Sequence, residues 1–355
     1  MGREADIVVR VGQVGGTPRR RARLTQHTGP AGVAYEEHLG RLGANFRVEL
    51  GDPIHVTAGP LLARSPHVLY TNVIEALLRF QAVSKGLMLL HSACLDLDGH
   101  GVLLSARTDT GKTGTVLKLL REHGGRFLSD DMTIVQPGGT ARCFPKPLTI
   151  SQHTLHALGI IDLTRAEWRK LRVQSRLHSK EGRAFGTFLA EHNLPIMGTN
   201  ALTQMVIPPP KYDVRRLVPC DVVAEVKLSD LFVIERGAPA MTAMSDDEVL
   251  TELIENTDDA YGFPPFRYFA PALVFGENDY QQLRAKEKDI LRAAIGGIPG
   301  RRLRSDSFSW AHDISELLVH APRRARADAD ILTVKQMRAH LQKGELDSVA
   351  ASARG

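Results

Sequence analysis

The feature that most constrains this chain is a run of small and polar residues, Ala106-Arg107-Thr108-Asp109-Thr110-Gly111-Lys112-Thr113, set between a strand-like stretch and a helix-like one. Val102–Ser105 precedes it as a strand. Thr113–His123 follows with Val116, Leu117 and Leu120 on one helical face and Gly124-Gly125 as the stop. A loop running from a strand end into a helix N-terminus points successive backbone N–H groups into one concavity, and the helix dipole adds positive potential there. Lys112 and Thr113 contribute an ammonium and a hydroxyl at the mouth of that concavity. The combination suits phosphate oxygens and Mg2+. Arg107, Thr108, Asp109, Thr110, Gly111, Lys112, Thr113 and Gly114 are therefore the candidate nucleotide contacts, with Thr113 also on the metal. Loops of this kind ordinarily begin with glycine. Ala106 stands there instead, which the geometry tolerates if its φ stays negative.

Upstream, Leu87–Leu97 reads as one strongly apolar strand, Asp98-Gly99-His100-Gly101 as a turn and Val102–Ser105 as the return strand. Asn72–Lys85 has helical spacing, Phe46–Leu62 is strand-like with a break at Gly51-Asp52-Pro53, and residues 1–25 read as loosely ordered. Downstream, Arg126–Leu128 and Met132–Val135 read as strands with Ser129-Asp130-Asp131 between them. Adjacent carboxylates beside a phosphate loop are costly unless a cation or a proton-transfer task stabilises them; a solvated loop is the plain alternative. Residues 150–215 are polar, rich in His and Arg and helix-leaning, and read as an insertion that Pro208-Pro209-Pro210 helps to end. Strands return at Val222–Val226 and Leu231–Glu235, helices near Asp246–Glu255 and Asp279–Ala294. Leu332, Val334, Met337 and Leu341 suggest a last amphipathic helix.

Composition excludes several function classes. At 355 residues and 43% hydrophobic, the chain can bury one large core or two smaller ones. No apolar run is long enough to span a bilayer, and Arg3, Glu4 and Asp6 break any signal-peptide pattern. Cys94, Cys143 and Cys220 are too few and scattered for a disulfide framework or a zinc site, so a cytoplasmic protein is expected. The charge of +5 is small, and Arg is clustered at 19–21 with 23, at 301, 302 and 304, and at 323, 324 and 326. These clusters read as solvated surface or as a peripheral patch for an anionic membrane or a phosphorylated substrate. Basic residues do not alternate with aromatics, so nucleic acid is not an expected partner. His153 and His156 stand one helical turn apart without an evident third ligand.

The stretch Leu90–Val135 resembles the catalytic core of HPr kinase/phosphorylase-like proteins. The resemblance is carried by Leu90-His91-Ser92-Ala93, the Asp98–Gly101 turn, Val102–Ser105, Gly111-Lys112-Thr113 and Leu128-Ser129-Asp130-Asp131. It extends to Phe144-Pro145-Lys146-Pro147 and, more weakly, through Leu228–Glu235 and Ile298–Leu303. PEP carboxykinases share the core more distantly. The resemblance implies an α/β fold of the PEP carboxykinase/HPr kinase type: a P-loop core on a mixed sheet, a hairpin before the P-loop, a helical insertion and a C-terminal helix. It implies that Lys112 and Thr113 contact the phosphates and Mg2+, that Asp130 is the general base and that Asp131 holds the metal. It also implies that His91 lies near the phosphates, although a histidine bonded in the core reads equally well from the residues alone. Gly114 replaces the family's acidic residue after Lys-Ser/Thr, and the large N-terminal domain and later signature loop of the phosphocarrier kinases are not recognisable. The implied acceptor is therefore a small-molecule hydroxyl or a peptide serine rather than the phosphocarrier protein.

The expected organisation is a strand-rich segment (1–70), a catalytic domain (71–320) with an inserted, substrate-covering segment (150–215), and a basic tail with a helix (321–355), in a homo-oligomer. The expected function is ATP- and Mg2+-dependent phosphoryl transfer catalysed by Asp130, Lys112 and His91. Lys180, Arg183, Lys211, Arg215 and Arg216 are candidates for further phosphoryl-facing cations. A nucleotide-binding regulatory or scaffold protein, and a carboxykinase-like or nucleotide-hydrolysing enzyme, are the alternatives.

Overall fold

The computed structural model describes residues 5–319 apart from 17, 19–20, 28–31, 160–162, 178–191, 193–194, 209 and 263–264. The expected C-terminal helix and basic tail, with Lys180 and Arg183, lie outside the described residues.

Alternating apolar residues build the N-terminal sheet. Its strands are Ile7–Val11 (β1), Arg23–His27 (β2) and Gly32–Glu36 (β3), then, past a short hairpin of His38–Leu39 (β4) and Leu42–Gly43 (β5), Phe46–Glu49 (β6) and Ile54–Ala58 (β7). The order is β1-β7-β6-β3-β2, with β1 parallel to β7. Phe46, Val48, Ile54, Val56 and Ala58 point to one buried face. Residues 1–25 are thus not loosely ordered throughout: β1 runs in register with β7 from Ile7↔Ile54 to Val11↔Ala58. That order comes from a partner some 47 positions away, which local composition does not reveal. The buried face joins the main hydrophobic core, where the Phe269 ring meets Phe46 edge-on at 5.5 Å.

The larger sheet has nine strands: Met88–Leu90 (β8), Ala93–Leu97 (β9), His100–Ser105 (β10), Arg126–Ser129 (β11), Thr133–Gln136 (β12), Thr140–Cys143 (β13), Glu225–Arg236 (β14), Ala240–Met244 (β15) and Gly300–Ser305 (β16). Its order is β11-β9-β10-β14-β13-β12-β8, with β16 pairing β14 and β15. Contacts of β14 with β10 and β16 are parallel and the rest are antiparallel, so the sheet is mixed. The strand expected over Leu87–Leu97 is split. At His91-Ser92 the chain leaves its place beside β12 and enters between β10 and β11. Conversely, the two strands expected at Val222–Val226 and Leu231–Glu235 are one, β14. The polar residues between them are part of the strand: Asp230 accepts Arg301 and Ser229, and faces His100 at 3.4 Å.

The β9–β10 hairpin forms as expected, turning at Asp98 (φ 51°) and Gly99 (φ 88°), the left-handed pair that tight hairpin turns favour. Because Leu104 lies opposite Ala93 and Ser129 opposite Cys94, the loops leaving β10 and β11 emerge on either side of the start of β9. The helix Lys112–His123 buries Val116, Leu117, Leu119 and Leu120 against Trp310, Ala311 and Ile314 of the helix Trp310–Val319. Each such burial stabilises the pairing by about 1.5–3 kcal/mol. Arg301, Arg302 and Arg304 are not a free basic patch: they pair with Asp230, with Glu235 and Glu252, and with Glu235. No described helix is long and apolar enough to cross a membrane.

Candidate active site

The loop after β10 is tied down on its outer side. Arg236, at the end of β14, donates from Nε to the Thr110 carbonyl at 3.2 Å and from Nη2 to that of Asp109 at 3.1 Å, while its guanidinium lies over Phe308 at 4.6 Å. Thr108 donates from its amide and hydroxyl to Asp259 Oδ2. Asp109 and Gly111 take positive φ (63° and 132°), whereas Ala106 is fully buried and outside that region, so alanine is accommodated there. Gly111 is required twice over. Its φ disfavours a side chain, and a Cβ would sit 3.0 Å from the Trp310 ring and 3.2 Å from Phe308. Arg107, Thr108, Asp109 and Thr110 line a cavity of about 460 Å3 with Val233–Arg236, Glu252 and Asn256.

Lys112 begins the helix and turns inward. Its side chain is buried and Nζ has no hydrogen-bond partner among the described residues. Burial lowers its proton affinity, opposed by the charges of Asp130 and Asp131. Thr113 donates its hydroxyl to Asp130 Oδ2 at 2.8 Å, and Asp130 Oδ1 is buried without a partner. Burial also raises the Asp130 carboxyl, with Lys112 pulling the other way. Gly114 leaves room for the insertion, since a Cβ there would meet Thr154 Cγ2 at 3.1 Å, in the helix Gln152–Ala157. Any side chain at 114 would require Thr154 to shift by a few tenths of an ångström.

Asp131 adopts φ 73°, a conformation aspartate tolerates better than most residues, and its carboxylate lies among cations. Oδ2 accepts from Lys146 Nζ at 2.5 Å and Oδ1 faces His91 Nε2 at 3.4 Å. Burial among protein atoms would raise this carboxyl, but Lys146, His91 and Lys112 more than offset it and hold it well below the usual range. Its side chain keeps 45% exposure, so salt weakens these pairs. His91 is positioned by Asn256: Nδ1 lies 2.9 Å from the Asn256 carbonyl, which can only accept, so Nδ1 carries a proton. Nε2 donates to Asp131 only when the ring is an imidazolium. His91 is thus anchored in the core and faces Asp131.

Sequence reasoning missed the residues that complete this arrangement. Lys146 entered only as part of Phe144–Pro147, yet it bridges Asp131 and the buried Glu75, to which it donates at 3.0 Å. Burial raises the Glu75 carboxyl, opposed by Lys146 and, more weakly, Lys211. Glu75 sits in an apolar helical stretch where a lone acid was the available signal. Arg216 is spent on Glu167 at 2.6 Å, away from the aspartates. His156 stacks on Trp168 at 4.6 Å, a packing role rather than a metal pair. Among the described residues, no three His, Cys, Asp or Glu side chains could hold a metal by themselves. The hydroxyl of Thr113 with the carboxylates of Asp130 and Asp131 nevertheless fits Mg2+, which keeps waters and substrate phosphate oxygens in its shell and needs only one or two carboxylates.

No family model matches the chain. Two curated proteins named HPr kinase/phosphorylase, from Clostridium botulinum strains Eklund 17B (type B) and Alaska E43 (type E3), are each 33% identical over 76 residues, 21% of this chain and 25% of theirs. The chain thus spans about a quarter of the length of the curated relatives it matches. Among solved structures, the Hpr(Ser) kinase/phosphatase from Coxiella burnetii aligns with 73% of this chain and 99% of that one, at 12% identity and a TM-score of 0.27, too low to compare the sites. The curated matches make a 76-residue stretch of this chain similar to HPr kinase/phosphorylase.

Proposed function

We propose that this chain is an ATP- and Mg2+-dependent kinase that phosphorylates a hydroxyl of a small molecule or of a peptide or protein serine, with residues 71–320 as the catalytic domain. The observation that carries the reading is Lys112, a buried ammonium without a hydrogen-bond partner at the head of a helix, behind a glycine loop and influenced by two carboxylates. A buried charge without a partner is a cost that a fold tolerates where a ligand supplies the counter-charge. A nucleotide's β- and γ-phosphates supply it here.

Thr113 and Asp131 would hold Mg2+, which neutralises charge on the phosphates. Asp130 takes the proton of the acceptor hydroxyl at Oδ1, the oxygen without a partner, and burial makes this carboxylate more basic than an exposed one. As the acceptor oxygen bonds to the γ-phosphorus, the bond to the β-phosphate bridging oxygen breaks. Lys112 then faces the charge that develops on the transferring group and on ADP. His91 orients Asp131 through Oδ1. The helix Gln152–Ala157 approaches the start of the Lys112–His123 helix, where Thr154 Cγ2 lies close to Gly114, and this approach supports the reading of the insertion as a cover for the acceptor.

The test is to incubate the protein with γ-labelled ATP, Mg2+ and an extract of its host, then identify the labelled species. A labelled metabolite or phosphoserine peptide that disappears with Asp130→Asn is the expected result. Release of inorganic phosphate alone would make the protein a hydrolase, and tight binding without turnover a nucleotide-binding regulator.

A further inference from the structure

Lys146 has no part in the transfer step just described, yet it is paired with two carboxylates beside the phosphate loop. It lies between Pro145 and Pro147, which stiffen the exit from β13. Its side chain is 15% exposed, and Nζ touches Asp131 Oδ2 at 2.5 Å and Glu75 Oε2 at 3.0 Å. Glu75 is 5% exposed and comes from the first turn of the Glu75–Ser84 helix. Lys146 thus bridges a buried carboxylate to one open to the site. The other oxygen of Asp131 faces His91 Nε2 at 3.4 Å, so Lys146 is the cation in hydrogen-bond contact with this carboxylate.

A divalent ion and an ammonium at one carboxylate repel each other, so each weakens the other's hold on it. Taking Asp131 as the metal-shell residue, as in the kinase reading on which this rests, we infer that Lys146 is a resident counter-ion that a divalent metal must displace from Asp131. Glu75 is the anchor that keeps the displaced ammonium in the site. A bare metal ion meets this competition in full. A metal that arrives with a triphosphate brings new anionic oxygens that accept the released ammonium. The site therefore selects the metal–nucleotide complex over the free metal, through a side chain that binds neither in the resting state.

The experiment measures Mn2+ binding to the full chain by electron paramagnetic resonance, without nucleotide and with a non-hydrolysable ATP analogue. Wild type is compared with Lys146→Met, Lys146→Arg and Glu75→Gln. Without nucleotide, Lys146→Met should tighten Mn2+ binding on the order of tenfold, a coupling of ordinary size. Lys146→Arg, which keeps the charge, should stay near wild type. Glu75→Gln should weaken binding, because the ammonium then has Asp131 as its main partner. A general structural disturbance would weaken binding in all three variants, so the opposite signs are the signature. Thermal melts report whether each variant folds; if Lys146→Met does not, the direction of the Glu75→Gln effect decides. Unchanged or weaker Mn2+ binding in a folded Lys146→Met variant, with nucleotide-dependent binding intact in wild type, overturns the exchange alone. Failure of wild type to bind Mn2+ even with the analogue overturns the nucleotide reading and this inference with it.

Discussion

Replacing Lys112 by methionine should make the empty protein more stable while abolishing nucleotide binding. The residue is 8% exposed and its Nζ lacks a hydrogen-bond partner. A buried polar group left unsatisfied costs about 1–3 kcal/mol, and more when charged. Asp130 and Asp131 return part of that cost by attraction, and Asp130 will protonate more readily once the ammonium is gone. Methionine keeps the apolar stem and removes the charge, so the net gain should be about 1–2 kcal/mol, or roughly 1–3 °C in Tm for a chain of this size. Burial lowers the folded-state proton affinity of Lys112, so the destabilisation is full below the folded pKa and disappears only as pH rises past the unfolded value. Calorimetry with and without Mg-ATP checks this. At a ligand concentration about 100 times Kd, wild type should gain about 2.7 kcal/mol and the variant nothing, so the two melting curves change order. A variant that melts several degrees below wild type without ligand, yet gains the same ligand shift, would refute the view that Lys112 serves a ligand at the expense of the fold.

Asp130→Asn should leave nucleotide affinity near wild type and lower phosphoryl transfer by about 10²–10⁴-fold, whereas Asp131→Asn should weaken affinity in Mg2+ but not in EDTA; equal losses in both assays would sink the division of labour. Ala106→Gly should bind nucleotide, at a stability cost of up to about 1 kcal/mol in chemical denaturation, because Ala106 already has a backbone that either residue adopts. Gly111→Ala should lose nucleotide binding by calorimetry, since φ 132° and the Trp310 ring 3.0 Å from the new Cβ force the loop to move. Glu37, buried and bonded to Tyr35 and the Gly198 amide, has its carboxyl pushed up to about 7 by burial. The folded state thus holds a proton that the unfolded state has released, and stability should fall as pH rises from about 4.5 toward 7, a slope in Tm that Glu37→Gln should flatten.

Much of this site is legible along the chain. The hairpin turn, the loop entering a helix and the acidic pair at the next strand end are local patterns, and their positions along the sheet follow once β9 lies between β10 and β11. Local periodicity failed where the backbone obeys distant partners. One apolar run became β8 and β9 because His91 is held by Asn256 and Thr257, which are 165 and 166 positions away. Two expected strands became β14 because Asp230 finds Arg301, 71 positions on. The Arg301–Arg304 cluster looked free only because Glu235 and Glu252 could not be seen beside it.

By itself, the sequence singled out Lys112, Thr113, Asp130 and Asp131 as candidates for phosphate binding and proton transfer, because a strand-loop-helix run and an acidic pair at the next strand end are local patterns. Only the tertiary structure decided what surrounds them. Asp130 and Asp131 are neighbours in the chain, yet one is buried with an oxygen left bare while the other is flanked by Lys146 and His91. Proton affinity depends on burial and on charges within a few ångströms, and those come from strands and helices that the sheet register brings together across the length of the chain.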